Sequence, residues 1–245
     1  MTSPAASAAG APSGSTPAGP AQRNGALDAV VAYPLTFLTV LKNRPLDALR
    51  MGHAQGNGWW IQLALRNVLT ALFVTVLLGR ASGIGMGMVR SISGGYFSRY
   101  SDYWALSFGA SLQVFLMALL LFFLIDLLRG GMLHLAFAVG KAGVPFSDSG
   151  QIVATAYSGP ACITAVGILG MLLPGSGLLM FVLVVGGLLA TVLGLTAELL
   201  MYIGVNRRHR FEGSPLMPFV AGFAGWILGT LLILYVFSSV LEGMS

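Results

Sequence analysis

Charge is scarce in this sequence. Only 9% of its 245 residues are Asp, Glu, Lys or Arg, against about a quarter in ordinary soluble domains. Thirteen basic and eight acidic side chains cannot cover a water-soluble surface of this size. With 56% apolar residues, the composition excludes both an ordinary cytosolic enzyme and a disordered protein. Cysteine is almost absent. Cys162 stands alone, which excludes an internal disulfide and a multi-cysteine metal site. It lies in an apolar run and reads as a small packing residue. His53, His134 and His209 are far apart and lack metal-ligand spacing. Gly83, Gly85 and Gly87 lack the third-glycine spacing and preceding strand of a dinucleotide site, and there is no phosphate-loop lysine. No G-x-S-x-G elbow or H-E-x-x-H pair occurs. The aromatic-and-basic pattern of a nucleic-acid binder is missing too. The expectation is a non-enzymatic chain with no cofactor and no nucleic-acid partner.

What the sequence does contain is long apolar runs, and they predict an all-α polytopic membrane protein with about five transmembrane helices. Residues 1–27 are almost all Ala, Gly, Pro, Ser and Thr, and the first charge is Arg23. Without a basic start and an apolar run this is no signal peptide; a disordered tail is expected. Residues 28–56 form a cytoplasmic interfacial segment. In it Val30, Val31, Pro34, Phe37, Leu38 and Leu41 lie at helical spacing, followed by Lys42, Arg44 and Arg50. It is too short and too charged to span. It should break at Pro45, with Pro45 in the first turn of a new helix. It lies either on a membrane surface or against other protein.

Residues 57–245 form the five-helix domain. A span needs about 20 apolar residues. Trp59–Gly79 is the first, with Trp59 and Trp60 in the interfacial belt and Arg66 snorkelling to the near side. Residues 80–104 read as a Gly-, Ser- and Tyr-rich connection. Residues 105–128 are the second span, with apolarity resuming to Val139, so a long helix kinking or emerging near Gly130-Gly131 is expected. Residues 151–173, interrupted at Gly159-Pro160, are the third, either fully spanning or re-entrant. Pro174-Gly175-Ser176-Gly177 turns the chain. Residues 178–204 and 216–240 are the fourth and fifth. A cytoplasmic N-terminus puts ten basic residues on the inner side, including Arg207, Arg208 and Arg210, and only Arg80, Arg90 and Arg99 outside. The positive-inside rule favours this orientation.

Ionisable residues inside a span are functional candidates by default. Asp126, Arg129 and His134 fall roughly on one helical face. They form either a proton relay or ion site, or a self-neutralising Asp126–Arg129 pair with His134 bonded to a neighbour. Glu198 ends a stripe of Gly186, Ala190 and Gly194 that should face another helix. It binds a cation or proton, or reaches Arg207 or Arg208. Ala221, Gly225 and Gly229, and Ala154, Ser158 and Cys162, mark further small-residue faces. Phe37, Leu41, Arg44, Arg50, Arg207, Arg208 and Arg210 are the partner or lipid rim candidates.

In order, GMLHLAFAVGKAG, VPFSDSGQIV, ATAYSGPACI, a Pro-Gly turn and ELLMYIGVNRRHRFEG resemble the core of the Yip family of Ypt/Rab-interacting membrane proteins. PLTFLTVLKNRPLDALR is similar to that family's segment before its first span. The resemblance covers most of residues 33–240 and implies five spans, a cytosolic N-terminus and no catalytic chemistry. The Arg-over-Lys and Ala/Gly bias points to a GC-rich bacterial genome and the inner membrane, where the GTPase partner of eukaryotic relatives is missing. The leading expectation is a partner-binding or membrane-organising subunit, working with a membrane-protein partner or a second copy. The alternative is a small transporter or channel component using Asp126, His134 or Glu198. A third reading is a lipid-binding or scrambling protein.

Overall fold

The computed structural model describes residues 26–42, 44–54, 56–92, 106–173, 176–208 and 213–244. The tail expected over residues 1–27 lies outside them except for its last two residues, which open the first helix. Among the described residues every regular element is helical: α1 (Ala26–Leu41), α2 (Pro45–Ala54), α3 (Trp59–Ile92), α4 (Phe108–Val139), α5 (Phe146–Ala156), α6 (Ser158–Leu172), α7 (Ser176–Arg208) and α8 (Leu216–Met244), with a 3-10 turn at Gly56–Gly58. Four stretches are long and apolar enough to cross a membrane: Trp59–Gly83, Phe108–Val139, Leu179–Asn206 and Leu216–Ser239. The pair α5–α6 makes a fifth apolar length bent by 44°.

Local chemistry sets several of the boundaries. Ser107 opens α4 by accepting the Ala110 N–H at 3.2 Å, satisfying one of the donors that a helix start leaves orphaned. Lys141, left-handed at φ 55°, closes α4. Beside it the Ala142 N–H returns to the Phe137 carbonyl at 3.0 Å, as helix ends of this type do. In between, α4 runs through Gly130-Gly131 as one long helix. Its 32 residues extend about 48 Å, so it outruns a hydrocarbon core of about 30 Å. The first span is also longer than expected. α3 continues past Gly79 to Ile92, through part of the predicted 80–104 connection. Glycine costs about 1 kcal/mol per site in a helix, and propensity is a weak prior that context overrides.

The interruption of the third span is real, and it falls at Tyr157, whose backbone sits at φ −83°, ψ 4°. Pro160 causes it. A continuous helix would need the Pro160 N–H for the carbonyl of Ala156, and the proline ring would clash with that carbonyl. The Ser158 hydroxyl donates to the Thr155 carbonyl at 2.8 Å across the break.

Contacts between helices fix their directions. Trp59 packs edge-on against Phe146 at 6.0 Å, Arg66 stacks on Tyr157, Phe73 meets Gly167, and Arg80 donates to the Leu173 carbonyl at 2.8 Å. The numbers rise together, so α5–α6 runs parallel to α3 from Trp59 to Arg80, about 32 Å. The bent pair therefore runs alongside α3 and does not double back on itself. α7 is antiparallel to it, with Val182 at Gly170, Leu193 at Gly159, and Gly204 at Ile152. α8 is antiparallel to α4, with Leu128 at Gly229 and Met132 at Gly222.

The buried core lies at the Trp59 end. It gathers Leu133 and Phe137 of α4, Ile152, Val153 and Ala156 of α5, and Ala197, Met201 and Val205 of α7. α5 is buried from Ser149 through Ala156. α1 and α2 cover this end. Ala29, Tyr33 and Thr36 are buried, and Gly52 sits against Thr155. The opposite side of α1 leaves Leu27, Val31, Leu35, Leu38 and Leu41 exposed. Of the two placements the sequence left open, packing on protein is seen for one face; the other face offers apolar surface outward. Phe37, expected at the rim, turns inward onto Gly159. Leu41, Arg44 and Arg50 are exposed, with Arg50 3.6 Å from Asp47.

Two small-residue faces differ from expectation. On α8 the packed set is Gly222, Gly225 and Gly229 against α4, with Ala221 exposed. On α7 a Cβ at Gly186 or Gly194 meets nothing within 4 Å, and Ala190 is exposed. That stripe faces away from the other helices among the described residues. A methyl at Gly222 would lie 2.9 Å from the Met132 carbonyl oxygen, and a helix backbone cannot yield there. Gly222→Ala should cost about 1–3 kcal/mol, as overpacking does, lowering the thermal midpoint of the detergent-solubilised protein. Gly186→Ala should not lower it.

Candidate functional site

Among the described residues Arg66, Asp126, Arg129 and Glu198 carry charge into the apolar bundle, and they pair between helices rather than within one. Antiparallel packing brings Arg66 of α3 level with Asp126 of α4, and the two form an ion pair and hydrogen bond. Three residues further along α4, Arg129 pairs with Glu198 of α7. The expected Asp126–Arg129 pair is therefore replaced, because each residue finds a better partner across a helix interface. Arg66 does not snorkel outward, and Glu198 is bound to Arg129. Arg207 and Arg208 end α7, while Arg210 lies outside the described residues.

Aromatic rings complete both pairs. The Arg66 guanidinium lies 3.8 Å from the centre of the Tyr157 ring. The Arg129 guanidinium, its side chain only 1% exposed, faces Trp226 at 4.9 Å, Phe223 at 5.3 Å and Phe219 at 5.8 Å on α8. A desolvated cation over a ring gains about 2 kcal/mol. Tyr157 is placed by the Pro160 break, so the broken span delivers an aromatic face to the charge cluster. Tyr33 of α1 also feels Arg66 and Asp126, and burial pushes its phenol above the ordinary tyrosine range, so it stays protonated.

Several polar atoms in and around this cluster have no hydrogen-bond partner: Asp126 Oδ2, both side-chain polar atoms of Asn67, Arg129 Nε, Tyr33 Oη and His134 Nδ1. His134 packs edge-on against Phe146 at 5.7 Å. Among the described residues no three His, Cys, Asp or Glu side chains gather as a metal site. Sequence reasoning missed Asn67, Tyr157 and the α8 aromatics as parts of this cluster.

The arrangement ties α3 to α4 and α4 to α7 at one depth. Removing one partner of a buried pair strands the other, at a cost of about 3–5 kcal/mol. Glu198→Gln should therefore lower the thermal midpoint sharply by stranding Arg129. The double change Arg129→Met with Glu198→Met should recover a large part of the loss, because a buried pair replaced by apolar groups is often near neutral. Thermal unfolding monitored by size-exclusion chromatography reads both. No protein-family profile, curated protein or solved structure matches this chain.

Proposed function

We propose that this chain is a non-enzymatic membrane protein of the Yip type. It acts as a partner-binding or membrane-organising subunit in a bacterial inner membrane, with α1–α2 on the cytoplasmic side. The observation that carries the reading is the outward face of α7. Gly186, Gly187 and Gly194 have open space where a side chain would sit, and Ala190 between them is exposed. Such a groove lets a second helix backbone approach closely, which is how helices associate in lipid without a hydrophobic driving force. The equivalent glycines of α8 pack on α4, whereas those of α7 meet no other helix among the described residues. The occupant is a transmembrane helix of another copy or of a partner membrane protein.

The charges favour this reading over a transporter. A site that carries an ion needs net charge to offer, and Asp126 and Glu198 are each neutralised by an arginine. The exposed Lys42, Arg44 and Arg50 lie beside the apolar outer face of α1. A basic residue near an anionic leaflet contributes about 1 kcal/mol of attraction, which suits a segment resting on the cytoplasmic surface.

Cysteine cross-linking tests the proposal in native membranes. With Cys162→Ser as background, Ala190→Cys plus a short bismaleimide should give one discrete adduct, either a dimer or a complex with a single partner. Leu231→Cys, exposed on α8, should give none. Absence of an adduct at positions 186, 190 and 194 would overturn the reading.

A further inference from the structure

A cavity of about 180 Å³ opens between α3, α4 and α5. Trp59 and Phe146 close its α5 side, and the indole of Trp59 presses so tightly on Gly150 that a Cβ there would lie 2.6 Å from the ring. Trp60, Phe123 and Leu127 also line it and are 57%, 53% and 51% exposed, so its mouth faces outward where the bilayer would lie. Its polar end is Asn67 and Asp126, 1% and 3% exposed. Asn67 begins its third helical turn from Trp59, about 12 Å into the span.

Those two side chains have hydrogen-bonding capacity that the protein does not use. Asp126 gives Oδ1 to Arg66, while Oδ2 has no hydrogen bond, and neither does the Asn67 carboxamide beside it. Even a carboxamide turned to donate to Oδ2 would keep one N–H and its carbonyl oxygen unpartnered. Burying such groups without partners costs about 1–3 kcal/mol each. The walls are otherwise apolar, and an apolar cavity of roughly 150 Å³ stays dry and takes an apolar guest. The fitting occupant is therefore amphiphilic, with a small head and an apolar tail leaving past Trp60 and Phe123.

Charge selects the head. Arg66 and Asp126 already neutralise each other, so a charged head would bring an uncompensated charge into the bundle. A phosphate would also face the Asp126 carboxylate. A hydroxyl matches: it donates to Asp126 Oδ2 and accepts from Asn67 Nδ2. We propose that this cavity is a lateral binding site for one membrane lipid of the acylglycerol class, held by its free hydroxyl between Asn67 and Asp126. The site lies apart from the α7 groove and does not depend on it.

The test uses the purified full chain in phosphatidylcholine nanodiscs with a photoactivatable diacylglycerol. Labelling should map to residues 59–67 and 123–130. Unlabelled diacylglycerol should compete at least tenfold better, about 1.4 kcal/mol, than phosphatidylcholine or fatty acid of the same chain length. Asn67→Leu, checked as folded by its elution profile, should lower labelling about tenfold. Ala64→Phe, at the cavity wall, should abolish labelling. Equal competition by phosphatidylcholine or fatty acid would overturn the headgroup assignment. Unchanged labelling in both variants, or no labelling of those residues in folded wild type, would overturn the site.

Discussion

Arg66 and Arg129 carry their charges into a bundle whose outer surface is apolar, and each must meet a carboxylate there. A lone charge in that setting costs several kcal/mol even after relaxation. The carboxylates come from other helices: Asp126 of α4 answers Arg66 of α3, and Glu198 of α7 answers Arg129 of α4. One helix, α4, therefore gives an acid to one neighbour and a base to another, three residues apart. Sliding α3 or α7 by a turn against α4 would leave both members of a pair unsatisfied. The apolar contacts alone would tolerate such a slide, since α4 is apolar around its circumference and offers little to distinguish one register from the next.

The bend at Tyr157 belongs to the same constraint. A straight third span would need the hydrogen bond that Pro160 cannot donate. Breaking there leaves α5 as a short helix buried among α2, α3, α4 and α7, and puts the Tyr157 ring against Arg66. Tyr157 also lies within electrostatic reach of Arg129, Asp126 and Glu198. On the far side of Arg129, α8 supplies three rings, and its glycines let it approach α4 closely enough to do so. Charge pairing, helix break and glycine packing thus act on one layer of the bundle near the Trp59 end.

The crossings were legible because length and apolarity alone define them, and the break was legible because a proline in a helix has one physical consequence. The pairings were not. Helical periodicity placed Asp126 and Arg129 side by side, and they are neighbours on α4, but periodicity within one helix says nothing about what the facing helices bring. The usable signal was depth: two acids and two arginines sit in three spans at similar distances from the same end. The α7 stripe failed for a geometric reason. Residues four apart advance 400°, a drift of about 40° per step, so Gly186 and Glu198 differ by about 120°. Glu198 can face Arg129 while Gly186 faces outward. On α8 the packed glycines follow a mixed three- and four-residue spacing that holds one face better than the strict four-residue repeat that includes Ala221. The Gly-rich end of α3 is illegible in the sequence because intrinsic propensity disfavours glycine in a helix and context overrides it.

With both arginines committed to carboxylates, the bundle layer offers little net charge to anything outside it. What it leaves available is uncharged: a shallow groove on α7, an apolar face on α1, and the hydrogen-bonding remainder of Asn67 and Asp126. Recognition within the membrane must then rest on shape and on directional hydrogen bonds. Both are strong selectors in hydrocarbon because no water competes for the same groups. Fixed charge is instead displaced to the exposed edge, at Lys42, Arg44 and Arg50, where it can act over about 8 Å at physiological salt. The interior layer is thus neutral, and fixed charge sits at the basic rim. The two can be altered independently because the ion pairs keep charge out of the first and the α1–α2 turn keeps it in the second.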